Sequence, residues 1–221
     1  MMRNGVVTIV FAVLLGPLLV GCVSLRRTEE ARFFVLRAQA PSGSENNVTE
    51  PRSGLVVLLP VRLPGHLNRP QLVTEGGPNE LLIDEFARWA EPLEPALTRV
   101  LAENLATLLP DRQVMRSPFP AGAALHCRVS VEIESFAPQR SGEVVLDGRF
   151  LLLAQGDGRA LALRQFRLRR GPVPVGASGV DAEAGTAAMS ELLLELAEQI
   201  AEGVRRIEIS ESTATPSARQ R

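Results

Sequence analysis

The strongest constraint on this chain is a run of ten residues near its middle. Leu125, Cys127, Val129, Val131 and Ile133 alternate with His126, Arg128, Ser130, Glu132 and Glu134. A side-chain period of two belongs to a β-strand with one buried and one wet face. Such a face must be covered by another layer. The chain supplies more strand first. A turn over residues 138–142 leads to a second strand at 143–155. Gly156-Asp157-Gly158 is a hairpin signal, and a third strand follows at 159–169. Arg164, Arg167, Arg169 and Arg170 are expected on its solvated face or rim.

The covering layer is predicted from a different period. In residues 91–109, Leu93, Leu97, Val100, Leu101, Leu105 and Leu108 recur at helical spacing and make one apolar face. Pro92 and Pro95 fall in the first turn, where missing amide donors cost little, and Pro110 stops the helix. A second helix is predicted over residues 181–206, with Met189, Leu192, Leu193, Leu196, Ile200 and Val204 as its stripe. Shorter strands are predicted at 32–37, 55–61, 71–74, 81–86 and 112–116. Residues 39–54 read as a loop, 76–78 as a turn and 208–221 as a disordered polar tail. The fold class is therefore α/β (α+β): a single domain over residues 32–207, with a mostly antiparallel sheet and two long helices packed on it.

The N-terminus carries a separate signal. Arg3 precedes an apolar run over residues 6–20, which Gly16-Pro17 interrupts. A spanning helix needs about 20 apolar residues, so the run fits a cleavable signal peptide, residues 1–21. It ends in Leu19-Val20-Gly21-Cys22, which resembles the lipobox of bacterial lipoproteins. On that resemblance Cys22 takes a covalent lipid and becomes the new N-terminus, with residues 22–31 as a lipidated tether. Several acyl chains anchor stably where one does not. Val23 stands where an aspartate would signal retention at the inner membrane. The expected address is the periplasmic face of the outer membrane.

Composition narrows the function. The formal charge is −1, so nothing suggests a nucleic-acid surface. Every basic residue is arginine, which excludes Schiff-base lysine chemistry. Once Cys22 is acylated, Cys127 has no second cysteine for an intramolecular disulfide. No nucleophile elbow or phosphate-binding loop is present. His126 and Cys127 are neighbours on one strand, so their side chains point to opposite faces and do not share a metal. His66 lies in a Pro/Gly turn. Glu132 and Glu134 share a strand face, and Asp84-Glu85 is a second acidic pair, yet solvated faces explain both. No catalytic residue, metal site or further cofactor is expected.

One stretch carries a family pattern. Arg69-Pro70-Gln71-Leu72-Val73 is followed by Glu80-Leu81, then Arg88-Trp89-Ala90-Glu91-Pro92-Leu93, running into Thr98-Arg99-Val100-Leu101-Ala102-Glu103-Asn104-Leu105. It resembles the ABC-type transport auxiliary lipoprotein family, which includes the PqiC-like lipoproteins of paraquat-inducible and MCE-type transport systems. Phe33-Phe34-Val35-Leu36 is similar to the family's first strand, with phenylalanines where tyrosines often stand. The resemblance implies a non-enzymatic lipoprotein that works with an MCE-domain periplasmic protein and inner-membrane transporter subunits in moving lipid between membranes. It leaves room for a homo-oligomer. Arg69, Pro70, Gln71, Arg88 and Trp89 are the candidate partner-binding residues. Trp89 has a second explanation, as a staple against Leu93 or Leu97. Two other functions stay open at this level: a lipid- or hydrophobe-binding carrier, and a hydrolase whose nucleophile is not evident.

Overall fold

The computed structural model describes residues 30–39, 54–120, 122–155, 158–176 and 179–213. The signal, Cys22, most of the tether, the Gly156-Asp157 turn and the end of the tail lie outside the described residues. The elements run β1 (Arg32–Phe34), β2 (Leu55–Leu58), β3 (Gln71–Gly77), β4 (Glu80–Trp89), α1 (Leu93–Leu108), β5 (Gln113–Arg116), β6 (Leu125–Pro138), β7 (Val144–Leu153), β8 (Ala160–Arg170), β9 (Val175–Gly176), β10 (Gly179–Val180) and α2 (Ala182–Thr213). The mixed α/β class and both long helices are as expected.

The strands divide into a five-stranded sheet in the order β5-β2-β6-β7-β8, a three-stranded sheet β1-β4-β3 and a small β9–β10 ladder. This refines the expectation of one largely antiparallel sheet. β6, β7 and β8 form the antiparallel meander, but β2 runs parallel to both β5 and β6. All four residues of β2 are buried, which explains why its sequence is a continuous apolar run rather than an alternation. Pro60 follows closely and the strand ends at Leu58, short of the expected 61. The hairpin turn of the smaller sheet is Pro78-Asn79, so β3 runs on to Gly77 and β4 spans Glu80–Trp89, both longer than predicted. α2 continues to Thr213, past Arg206 and into the segment read as tail.

The two apolar stripes are the core. Leu97, Val100, Leu101 and Leu105 of α1 and Leu192, Leu193, Leu196, Ile200 and Val204 of α2 are all fully buried. They pack with Phe136 of β6, Phe150 of β7 and Phe166 of β8, the last two stacked with ring centroids 6.5 Å apart. Gly203 lets α2 approach β7, since a Cβ there would stand 3.0 Å from Leu152. The β8 arginines are at the surface as expected. Each has an acidic partner: Arg167 with Asp147, Arg169 with Glu143, Arg170 with Glu191 and Glu195, and Arg164 with Glu202.

The polar face of α1 does work that periodicity alone does not reveal. Glu94 Oε1 accepts a hydrogen bond from the Leu63 amide, and Thr98 Oγ1 accepts one from Val61. Asn104 Oδ1 accepts one from the Gln39 amide. Arg99 donates to the Leu36 carbonyl at 3.0 Å while contacting Glu91 and Glu103. The hydrogen bond with Glu91 is the chief cause that raises the Arg99 pKa, against a smaller lowering by burial. A raised folded-state pKa means the contribution is fully present below the ordinary arginine range and is lost only in stronger alkali. Arg99 therefore straps the chain after β1 to α1 at every physiological pH. Replacing it with alanine should cost roughly 1–2 kcal/mol, the lower part of the range for charged hydrogen bonds, because the side chain is partly solvated. Urea unfolding of Arg99→Ala beside Arg99→Lys checks this; equal midpoints for wild type and alanine would refute the strap.

Candidate docking surface

The candidate residues meet on the three-stranded sheet, outside the helix-covered one. The chain enters it from a turn ending at Pro70. The Pro70 carbonyl accepts a 2.7 Å hydrogen bond from the Trp89 amide, which joins the start of β3 to the end of β4. Pro70 has no amide to offer, so its place at the head of the strand costs no ladder bond. β3 then pairs antiparallel with β4, and β1 pairs parallel with β4 on its other side.

Gln71 pairs with Arg88, and Arg88 pairs with Phe33. Directly paired residues project to the same face of a sheet, so these three form one row across β3, β4 and β1. The next row holds Phe34 opposite Trp89, and both are buried. Trp89 is 8% exposed and belongs to the main core. Its ring is therefore placed as packing beneath the face rather than as an exposed anchor. The large exposed aromatic of this face is Phe33, 64% accessible. Sequence alone does not distinguish Phe33 from Phe34, because which one turns inward depends on its pairing with a strand some fifty residues away.

A chain of hydrogen bonds ties the polar candidates together. Arg69 Nε donates to Gln71 Oε1 at 3.3 Å, and Gln71 Nε2 donates to Glu85 Oε2 at 3.2 Å. Arg88 donates through Nε to the Glu85 carbonyl at 3.0 Å and sits 3.8 Å from the Glu85 carboxylate. Glu85 is thus the link, a residue the sequence offers only as half of an acidic pair and not as part of the docking rim. It comes into place because β4 is irregular here: one step along β3, from Gln71 to Leu72, moves the β4 partner four residues, from Arg88 to Asp84. Asp84 Oδ1 holds that irregularity by accepting from the Phe86 and Ala87 amides. The result is a surface rim of two arginines, an amide and a carboxylate over a rigid floor.

The residues considered for chemistry are scattered. Glu132 is engaged by Arg149, whose Nε and Nη2 reach one carboxylate oxygen at 3.0 and 2.7 Å. That hydrogen bond is the first cause of the raised Arg149 pKa. A register shift between Ile133 and Ser135 separates Glu134 from this pair. Cys127 is fully buried in the core and His126 is half-buried on the same strand. His66 lies in an exposed turn beside an open cleft of about 670 Å³, where Arg140 bridges to Glu80. Among the described residues no group of three His, Cys, Asp or Glu side chains could hold a metal ion. A second open groove, of about 770 Å³, lies between α1 and the edge strand β5, with Glu94, Arg99, Glu103 and Arg116 around it. Among the described residues no helix is long and apolar enough to cross a membrane.

Against known proteins, a family model described as the ABC-type transport auxiliary lipoprotein component matches residues 34–201. Two crystal structures share the fold. One is of an uncharacterised protein, 21% identical, with a TM-score of 0.64 over 80% of this chain and 99% of its own. The other is a protein of the DUF330 family from Xanthomonas campestris, 17% identical, with a TM-score of 0.64 over 83% of this chain and 99% of its own. At these identities the likeness is one of fold. No curated protein sequence matches the chain.

Proposed function

The chain belongs to the family of ABC-type transport auxiliary lipoprotein components, and from that membership we propose that it is a non-enzymatic docking subunit of an MCE-type intermembrane lipid transport system. In this reading acylated Cys22 holds the domain at the periplasmic face of the outer membrane. The domain then presents a fixed surface to an MCE-domain protein that reaches across the periplasm from the inner-membrane transporter. The observation that carries the reading is the rim of Arg69, Pro70, Gln71 and Arg88. Its polar side chains are pre-ordered in one hydrogen-bonded chain through Gln71 and Glu85, partly exposed to solvent and backed by a buried Trp89. Pre-ordering matters because a docking site loses less side-chain entropy on binding when its groups are already held. Arginine at a rim also favours specificity and encounter rate over raw affinity.

The chemistry points the same way. A hydrolase needs a nucleophile beside a base, or paired carboxylates with room for water between them. Here Glu132 is held by an arginine and Cys127 is packed in the core. A rigid surface with charged, hydrogen-bonded groups suits recognition of a protein.

A photo-crosslinking residue at position 71 provides the test. In cells that express the transport system, it should trap an MCE-domain protein. The same residue at position 163, on β8, should not. Equal capture from both positions, or none from 71 while the partner is present, would remove the docking role of this rim.

A further inference from the structure

The first strand carries a second surface property that partner docking leaves unused. Phe33 and Val35 alternate with Phe34 and Leu36. The latter pair is buried, and the former stands at the surface with Phe33 64% and Val35 38% exposed. In a chain with 4% aromatic residues, this is a costly place for a phenylalanine. Arg37 continues the outward row beyond Val35. Arg88 stands beside Phe33 across the β1–β4 pairing, and Phe86 of β4 is 38% exposed nearby in sequence. The face thus combines exposed apolar side chains with flanking arginines.

Chain length says what can cover it. Ten residue steps separate Cys22 from Arg32, and ten residues fully extended span at most about 35 Å. If Cys22 is acylated, as the proposed function holds, β1 never leaves the neighbourhood of the bilayer surface. We infer that the outer face of the β1 segment seats on that surface, with Phe33 and Val35 among the lipid headgroups and Arg37 against phosphates. Aromatic and aliphatic side chains enter the headgroup boundary, and arginine is drawn to anionic lipid. Glu30 stands exposed just before the strand, and on the elements beside it lie Glu85, already joined to Arg88, and Glu183, 3.6 Å from Arg32. None contacts Phe33 or Arg37 in a hydrogen bond or ion pair among those described.

The contact need not be strong by itself. The acyl chains supply the affinity, so seating is an intramolecular step at an effective concentration of about 1 mM. Its consequence is orientation. Gln71 lies two strands away on the same row, so seating brings the Arg69–Gln71 rim to the edge of the membrane contact. A protein reaching that membrane would meet the rim in a fixed pose rather than on a freely tumbling domain.

The test uses the full lipidated chain with Phe33→Trp, reconstituted in phosphatidylethanolamine and phosphatidylglycerol vesicles whose acyl chains carry bromine. Native Trp89 is buried and supplies a constant background. Leu163→Trp, on β8 and 61% exposed in the native residue, is the solvent control. Emission from the Phe33→Trp protein should shift to the blue and lose more than half of the signal added by the new tryptophan. The Leu163→Trp and wild-type signals should stay as in unbrominated lipid. Equal quenching at positions 33 and 163, or none at 33, overturns the seating. Should Phe33→Trp fail to fold, Val35→Trp is read by the same two outcomes. Intact mass of the reconstituted protein reports acylation of Cys22 separately, so an unlipidated chain would count against the anchor and not against the face.

Discussion

Gly148→Val should leave the domain largely unfolded or aggregated under conditions where the wild type is soluble and cooperative. Gly148 sits in the middle of β7, paired with Ile133 on one side and Phe166 on the other. A Cβ at this position would lie 2.3 Å from the Glu132 carbonyl oxygen, 2.9 Å from the Phe166 ring and 3.0 Å from the Ile133 Cα. The first and last are backbone atoms, which cannot swing aside. Any side chain would therefore drive β6 from β7 next to the register shift between Ile133 and Ser135. Overpacking a well-filled site costs typically 1–3 kcal/mol, occasionally more, and backbone obstruction places this one at about 3 or above. Domains of this size have about 5–15 kcal/mol in all. Alanine should lower the urea midpoint and valine should remove most soluble protein. A Gly148→Ala variant with an unchanged midpoint would show that the two strands can part freely.

The second large effect is expected at Trp89. Trp89→Ala should cost about 3–5 kcal/mol, the range for deleting a buried aromatic side chain. The ring is buried against the core that also receives Phe34, Leu93 and Leu97. Trp89→Phe should recover most of that loss. Arg88→Ala, one residue earlier but at the surface, should stay within about 0.5 kcal/mol of wild type. The two substitutions are thus expected to separate cleanly. Arg88→Ala should weaken capture of a partner at unchanged stability, whereas Trp89→Ala should weaken both together. Thermal or urea unfolding measured beside the position 71 crosslink decides it. A Trp89→Ala protein that is fully stable yet captures nothing would make Trp89 a direct anchor after all.

Part of the candidate surface was legible in the linear chain. Family-like spacing points to Arg69, Gln71 and Arg88, and folding brings them into one hydrogen-bonded rim. Trp89 was legible as important but ambiguous between staple and anchor. Its role turns on whether the ring faces in or out, and that is set by the parallel pairing of β4 with β1. Glu85 and Phe33 were not legible as members of the site. Glu85 reaches Gln71 only because Asp84 stabilises an irregularity in β4. Phe33 is exposed only because the register puts Phe34 opposite Trp89.

Taken alone, the sequence determined whatever depends on residues close together along the chain. The period of two at 125–134 fixed a strand with one dry face. The period near 3.6 in the two leucine-rich stretches fixed two helices and the side each would bury. Prolines fixed where the first helix starts and stops. These are local rules, in which each residue's fate follows from neighbours within a turn or a pleat. The tertiary structure decided what depends on distant partners. It placed β2 parallel between β5 and β6, split the strands into two sheets, and carried α2 past Arg206 to Thr213. It also turned the polar side of α1 into an anchoring strip for two separate segments, residues 36–39 and 61–63. Strand order and inward-facing rows come from long-range pairing, whose free energy is gained only when segments far apart in sequence meet. No pattern within one segment encodes that meeting, so the docking face could be named in the sequence but not assembled from it.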